Sequence, residues 1–269
     1  MILQDTLDLL RTKYRDDFLA ARIDRALVGV FFTAVRLSGG HCGLARTETG
    51  ACNAAVRPGD RELGAFSPGA IAGARVADLF AHLRPAPLLE GVKLACLNAL
   101  SMQVVERSGL PVIEGRDPLD LVGLDGRRSF CLVGAFQSYI RRVEAAGNPL
   151  TVLELDAGAL APEDRPYFAP AGRAAEVLRA SEVVVITGST LVNHTLDGLL
   201  AQVPPSARTL LVGPSGGLLP EVLFARGIHL IGTLRVTDPD RMFAVLGEGG
   251  AGYHLFRDCA RKICIAHEA

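Results

Sequence analysis

The sequence predicts an α/β protein: a Rossmann-like, doubly wound and mainly parallel sheet preceded by a small α+β domain. After Ser129, short runs of β-branched residues alternate with segments at helical spacing, which is typical of a parallel sheet. Small polar turns follow several of these runs. Before about residue 110 the order is helix, hairpin and helices. We therefore predict a first domain over 1–110 and a Rossmann-like domain over 111–269.

The N-terminal part is predicted to contain a helix, a two-stranded hairpin and two further helices. Apolar residues recur three and four positions apart in the helices, and Ser38-Gly39-Gly40 is a typical turn between the strands. The predicted segments, in order, are Ile2 to Arg25 (helix), Ala26 to Leu37 and Gly43 to Thr49 (strands), and Val76 to Leu83 and Leu88 to Val105 (helices).

The C-terminal part is predicted to alternate strands with helices. The strands are Phe130 to Phe136, Leu150 to Leu155, Val183 to Ile186, Thr209 to Val212 and Ile228 to Ile231, with Arg261 to Ala266 as an edge strand. The helices are Gln137 to Ala146, Gly172 to Ala180, Leu191 to Leu200, Pro220 to Ala225 and Asp240 to Leu246. The apolar run of the third strand is typical of a strand buried on both faces.

Composition argues against several classes of partner. The net charge is −1 and tryptophan is absent, so neither charge nor stacking residues favour nucleic acid or an anionic membrane. Apolar runs stay shorter than about 18 residues, and the first residues do not resemble a signal peptide, so we expect a cytoplasmic protein. Six cysteines in a chain of this length without an export signal predict reduced thiols, and none forms a Cys-x-x-Cys pair, so no standard zinc ribbon or redox motif is present. A homo-oligomer is compatible with the sequence, which does not define the oligomeric state.

Ligands of open α/β sheets bind beyond the carboxyl ends of the strands, and three predicted ends carry small or polar residues. Glycine there lets the backbone approach a ligand, and free N–H groups at a helix start attract anions. The alternative is that these segments are simply tight turns. The candidate ligand-binding residues are Gly134 and Phe136 after the first strand, Thr187, Gly188, Ser189, Thr190 and Asn193 after the third, and Gly213, Pro214, Ser215, Gly216 and Gly217 after the fourth.

Glu154 is a further candidate, because it follows Gly134 by twenty positions. This is the spacing at which a dinucleotide-binding acid reaches a ribose hydroxyl. However, the Gly-x-Gly-x-x-Gly motif is missing after the first strand, so no standard NAD motif is present. The sequence also lacks a Ser-His-Asp elbow, a P-loop and a His-Glu-x-x-His motif.

Three residues are candidate metal ligands: His41, Cys42 and His194. His41 and Cys42 adjoin the predicted hairpin turn, with Cys52 ten residues after Cys42, so imidazole and thiolate meet in one short segment. His194 lies in the first turns of a predicted helix. The alternatives are a turn histidine, ordinary free thiols and an exposed helix histidine. A transition or heavy metal ion is the predicted cofactor.

Several segments resemble the putative heavy-metal chelation family, long known as a domain of unknown function. Its signature resembles Ile186 to Asn193 followed by Thr195-Leu196-Asp197, and further blocks resemble Gly213-Pro214-Ser215 with Leu219 to Phe224, and Arg235 to Pro239. The first half is similar to the small domain usually found before it. The resemblance implies an enolase N-terminal-like domain, a Rossmann-like domain and a metal-handling site between them. The sequence has His194 where many members carry glycine.

Two functions follow as hypotheses. In the first, the cleft between the domains binds a metal ion, a metal chelate or an oxyanion, with amide groups of 187–190 and 213–217 converging on a shared hollow under the N-terminal half. In the second, an enzyme binds a nucleotide or phosphorylated small molecule in the same cleft, with Glu154 on a ribose. A scaffold whose cleft serves a protein partner is a third possibility.

Overall fold

The computed structural model describes residues 1–48, 63–82 and 86–267. Its strands are β1 (Ile23–Val28), β2 (Phe32–Leu37), β3 (Cys42–Arg46), β4 (Ile113–Glu114), β5 (Phe130–Val133), β6 (Leu150–Glu154), β7 (Phe168–Pro170), β8 (Val183–Thr187), β9 (Arg208–Val212), β10 (Leu230–Val236) and β11 (Ala260–Ala266). Its α-helices are α1 (Ile2–Thr12), α2 (Arg15–Ala20), α3 (Val76–Ala81), α4 (Pro87–Ser108), α5 (Pro118–Val122), α6 (Gln137–Ala145), α7 (Ala174–Arg179), α8 (Ser189–Val192), α9 (Leu196–Leu200), α10 (Pro220–Ala225), α11 (Pro239–Gly247) and α12 (Gly252–Asp258).

The predicted fold class is confirmed. Eight strands form one sheet in the order β4-β11-β10-β9-β8-β5-β6-β7, and six of them, from β10 to β7, run parallel. The strand order reverses between β5 and β8, which makes their carboxyl ends the switch point of the sheet. β1, β2 and β3 form a separate antiparallel sheet.

The apolar run of β8 is buried on both faces, as its sequence predicts. Val184 and Ile186 join a core that also contains side chains of α1, α4 and β3. Val183 and Val185 point to the opposite core, beneath α5 and α6. The first core contains residues from both sides of residue 110, and the division into two domains there stays a prediction.

The N-terminal sheet has three strands where the sequence predicted two. Gly29 separates β1 from β2, and its N–H donates to the carbonyl of Phe32 at 3.0 Å, closing a tight turn. A Cβ on Gly29 would lie 2.9 Å from that oxygen, so only glycine fits. The predicted first helix is two helices, α1 and α2, and the second ends at Ala20 because Ile23 already begins β1.

α4 is the central helix of the N-terminal part. It packs on β3 so closely that a Cβ on Gly43 would lie 2.0 Å from the carbonyl oxygen of Ala95 and 2.5 Å from the amide nitrogen of Ala99. By length and composition its segment Leu88–Ser108 is the one described helix able to cross a membrane. However, 83% of the apolar window is buried inside the molecule, which is typical of a core helix.

Other sequence predictions differ from the structure at their edges. β7 lies at the end of Asp164 to Pro170, which the sequence predicts as a loop, and β11, a predicted edge strand, is an inner strand because β4 pairs with its outer side. The predicted helix from Leu191 to Leu200 is two short helices, α8 and α9, separated by a bend at residues 193–195. The bend therefore places the candidate residues Asn193 and His194 outside a helix.

Candidate functional site

The turns after β5 and β8 lie side by side at the switch point. Gly134 has a φ of 111°, and a Cβ there would lie 3.1 Å from Cγ2 of Thr187. Gly134 therefore provides both the left-handed turn and the space for its neighbour. Phe136 stacks on Tyr139 within the following helix, with ring centroids 5.3 Å apart.

The turns after β8 and β9 also meet, in a contact that we call the loop crossing (Gly188 against Ser215 and Gly216). A Cβ on Gly188 would lie 2.7 Å from the amide nitrogen of Gly216 and 3.1 Å from the carbonyl carbon of Ser215. The N–H of Gly188 donates to the carbonyl of Val212 at 2.8 Å. The two segments thus converge, but backbone packs directly on backbone at the crossing.

The N-terminal half covers the loop crossing and fills the space above it. Ser215 is 2% exposed, and its Oγ accepts a hydrogen bond from the backbone N–H of Arg46 at 2.8 Å. Nδ2 of Asn98 donates to the carbonyls of Ser215 at 3.0 Å and Leu44 at 2.7 Å. These bonds tie the turn after β9 to β3 and α4. The N-terminal half therefore covers the turn after β9, as the sequence predicts, but it packs directly against this turn.

Gly217 lies beside two buried polar side chains, Asn98 and Thr233. Oδ1 of Asn98 is buried without a hydrogen-bond partner among the described residues. The position of a Cβ on Gly217 would lie 3.7 Å from this oxygen and 3.2 Å from Oγ1 of Thr233. A side chain at position 217 would therefore press against Thr233.

The polar groups of the predicted anion site are used within the protein. The N–H of Ala135 donates to Oε2 of Glu154 at 3.1 Å, and the N–H of Leu155 donates to Oε1 at 2.7 Å. Oγ1 of Thr190 donates to the carbonyl of Thr187 at 2.7 Å, and the N–H of Ser189 donates to Oγ1 of Thr187 at 3.3 Å. Since α8 has only four residues, its dipole is also short.

The bend between α8 and α9 has an unusual backbone. His194 has a φ of 59°, the single positive value outside glycine in the described part of the chain. Oδ1 of Asn193 accepts from the hydroxyl of Thr195 at 2.7 Å and from its N–H at 3.3 Å, which holds the bend. The left-handed conformation costs a non-glycine residue about 1–2 kcal/mol. Asn193 and His194 are both exposed on this bend.

A cavity of about 430 Å³, here called the cleft cavity, adjoins the bend. It opens between the N-terminal sheet, the first turn of α4 and the bend. Its volume lies within the range of small-molecule sites. The lining residues are Val28, Thr33, Thr47, Glu48, Ala86, Leu88, Glu90, Gly91, Val192, Asn193 and His194. Two candidates from the sequence, Asn193 and His194, therefore border it.

Most of the residues that line the cleft cavity were not predicted from the sequence. Thr33 and Thr47 face each other across β2 and β3, with their hydroxyl oxygens 3.1 Å apart. Glu90 forms an ion pair with Lys93 at 2.9 Å. A polar pair, Thr47-Glu48, directly follows β3, and this strand-end position was the available signal.

His41 and Cys42 lie far from the cleft cavity. Nε2 of His41 is 3.0 Å from Oε2 of Glu106 at the far end of α4, whereas Gly91 of the cavity is near its start. At 1.5 Å per residue, these helix positions are about 22 Å apart. Nδ1 of His41 is buried and has no hydrogen-bond partner within the described residues.

The two neighbours also point to opposite faces of β3. His41 contacts α4, whereas Cys42 packs against the core beneath α11 and α12. Burial raises the pKa of Cys42 from 9.0 to about 11, so its thiol is protonated at neutral pH. Cys52, the third member of this sequence cluster, lies outside the described residues.

The other described cysteines are buried, and burial raises their pKa values. Cys131 has a pKa of about 12 and Cys264 of about 11, and the pKa values of Cys96 and Cys259 are raised in the same direction. Among the described residues, no group of three His, Cys, Asp or Glu side chains is placed to hold a metal ion. The donors at the cleft cavity would therefore form part of a coordination shell.

Two protein-family models match the chain, and both carry the description "Putative heavy-metal chelation". One matches residues 117–265 and the other residues 13–101. An uncharacterized protein of Methanocaldococcus jannaschii is 31% identical over 86 residues, which are 32% of this chain. The match spans 33% of that relative, about a third of its length.

Two crystal structures of proteins with unknown function share the fold. The protein from Pyrococcus horikoshii has a TM-score of 0.72 and 16% identity, over 97% of both chains. The protein from Desulfitobacterium hafniense DCB-2 has a TM-score of 0.70 and 20% identity, over 97% of this chain and 99% of that one. At these identities the likeness is one of fold alone.

Proposed function

The chain belongs to the family described as putative heavy-metal chelation, and from this premise we propose that it binds a heavy-metal ion in the cleft cavity. One observation carries the proposal: His194 and Asn193 of the bend line the same cavity as Glu48 and Glu90. Imidazole and carboxylate are ligands of Zn²⁺, Co²⁺ and Ni²⁺. The family description supports the metal, and the cavity supports its location.

The backbone of His194 gives further support. A left-handed residue other than glycine is strained, and such strain is concentrated at functional sites. Glycine would adopt a φ of 59° at lower cost, so a histidine here has a stability penalty. Metal binding by the imidazole would account for a side chain at this position.

The test is metal binding by protein purified without chelators. Elemental analysis and a titration with Co²⁺, followed by its visible spectrum, measure stoichiometry and ligand geometry. We expect about one Co²⁺ per chain, with at least about a tenfold loss of affinity in His194→Gly. Glu48→Gln provides a second variant, since it keeps the size of the side chain and removes the charge.

His41→Gln and Cys42→Ser are the controls. The first removes an imidazole and the second a thiol at the β2–β3 turn, whose contact Glu106 lies about 22 Å along α4 from Gly91 of the cavity. We expect both to bind Co²⁺ like the unmodified protein. Loss of binding in His41→Gln with retention in His194→Gly would instead locate the site at the β2–β3 turn. If neither the unmodified protein nor any variant binds Co²⁺, the proposed function itself is contradicted.

The nucleotide-binding alternative has one supporting feature, the switch point between β5 and β8. Against it, both carboxylate oxygens of Glu154 already accept backbone hydrogen bonds. A ribose would have to displace one of them. A thermal-shift screen with nucleotides separates the alternatives: stabilisation that disappears in Glu154→Ala would favour the enzyme.

A further inference from the structure

The cleft cavity is much larger than a metal ion requires. Its volume is about 430 Å³, whereas a metal–ligand bond is about 2 Å long and a water molecule occupies about 30 Å³. A bare ion bound at His194 would fill a small part of this space. The volume matches a small organic molecule.

The wall of the cleft cavity is also largely apolar. Val28 and Leu88 line it with 43% and 36% of their surfaces exposed, and Ala86 and Val192 are buried beside them. Apolar side chains contribute nothing to the coordination of an ion, but they gain free energy when an apolar ligand covers them. The wall therefore favours a ligand with an apolar face.

The polar donors are few and lie on separate segments. His194 is on the bend, Glu48 follows β3, and Glu90 is on α4, where it also forms an ion pair with Lys93. Their arrangement is not that of a closed set of three ligands within the described residues. A metal held here needs donor atoms from another molecule, because four or more ligands complete its shell.

We propose that the ligand of the cleft cavity is a metal ion already held by a small organic chelator. This inference rests on the proposed function. The organic part lies against Val28 and Leu88, and an open coordination position of the metal accepts the imidazole of His194. Glu48 places a carboxylate on the cavity wall, whereas the charge of Glu90 is balanced by its ion pair with Lys93.

Zn²⁺–terpyridine is a suitable probe. It is a cationic complex with an aromatic face, its chelator supplies three nitrogen donors, and a coordination position remains open. Isothermal titration calorimetry compares this complex with Zn²⁺ alone and with terpyridine alone, on the full chain. We expect one equivalent of the complex to bind at least about tenfold more tightly than either component.

Two variants distinguish metal ligation from apolar contact. His194→Gly should weaken the complex by about tenfold or more, because it removes the coordinating imidazole. Val28→Thr keeps the shape and β-branching of the side chain while replacing a methyl group by a hydroxyl. It should weaken the complex by about three- to tenfold and leave the affinity for Zn²⁺ unchanged.

The outcomes separate the inference from the function on which it rests. If Zn²⁺ alone binds as tightly as its complex, and His194→Gly abolishes both, the proposed function stands and the chelate is excluded. If neither binds, both proposals fail. Binding of the complex that is insensitive to His194→Gly and Val28→Thr also overturns the inference, because the complex then lies elsewhere. Circular dichroism melting curves confirm that the variants are folded.

Discussion

The loop crossing and the cleft cavity lie within a few residues of each other in the chain, yet the first is closely packed and the second is open. At the crossing, Ser215 and Gly188 donate or accept within the protein, and glycine permits contact between backbones. At the cavity, the side chains of Asn193 and His194 are exposed, although Oδ1 of Asn193 accepts from Thr195. Glycine-rich turns therefore indicate close packing as readily as ligand binding. Substitutions at the crossing should change stability, and substitutions at the cavity should change binding.

A metal held by a thiolate outside both regions would contradict the expectation that binding depends on the cleft cavity. Burial raises the pKa of Cys42 from 9.0 to about 11. At pH 8 we expect a thiolate fraction about 100-fold lower than that of an ordinary cysteine, since two pKa units separate them. Iodoacetamide should alkylate the Cys42 peptide correspondingly slowly, as measured by mass spectrometry across pH 7–10.

The sign of the linked stability change is fixed by the same pKa. Because the folded protein favours the protonated thiol, the contribution of Cys42 to the free energy of unfolding is complete below pH 9. This contribution is lost as the pH rises towards about 11. Cys42→Ser, which does not ionise in this range, is the control. Fast alkylation at pH 7 would mean that the thiol is activated, and the β2–β3 turn would return as a metal site.

Gly188→Ala is expected to have the largest effect on stability of the substitutions in the two regions. The added methyl group would lie 2.7 Å from the backbone of Gly216, and overpacking of this kind costs about 1–3 kcal/mol. Urea denaturation measures the loss. The φ of Gly188 is −57°, so the cost is steric and not conformational.

The chain offers a close control for this substitution. Gly198 lies inside α9, and a Cβ there would meet nothing within 4 Å. Gly198→Ala should therefore stabilise the protein by up to about 1 kcal/mol, the difference in helix propensity. If Gly188→Ala were as stable as the unmodified protein, the backbone contact at the loop crossing would be absent in solution.

Glu154→Ala should destabilise the protein by about 1.5 kcal/mol, because two backbone N–H groups lose a charged acceptor. Glu154→Gln retains one acceptor oxygen and should lose less. Metal binding at the cleft cavity should be unchanged in both variants. Unchanged stability with lost ligand binding would reverse the assignment and make Glu154 a ligand residue, as its sequence spacing first suggested.

The sequence predicted the parallel sheet because its signals are local. The run from Val183 to Ile186 and the glycine after it define β8 and its turn without reference to the rest of the chain. Gly29 was misassigned because a glycine within an apolar stretch is also compatible with a strand interior. The turn is identified by contacts in the folded protein: the hydrogen bond from Gly29 to Phe32, and the packing of α11, where the carbonyl oxygen of Leu246 lies 3.0 Å from the Cβ position.

The candidate site was partly predictable for the same reason. The turns after the strands were located correctly, since a strand end is a local feature. The cleft cavity was not, because four segments separated by up to a hundred residues create it: residues 28–33, 47–48, 86–91 and 192–194. The left-handed backbone of His194 also depends on the split between α8 and α9, which no residue pattern indicated.

His194→Gly should change stability least, and in the favourable direction. Glycine adopts a φ of 59° without the penalty of about 1–2 kcal/mol, but it also loses more conformational entropy on folding, so a gain of at most about 1 kcal/mol remains. Urea denaturation without metal measures this term. His194→Asn is the control, since asparagine tolerates this conformation and lacks the imidazole. A substantial loss of stability in His194→Gly would show that the side chain holds the bend itself, and then its loss of metal binding would not identify a ligand. A small gain in stability, together with weakened metal binding, would mean that the histidine serves binding at the cavity although it destabilises the fold.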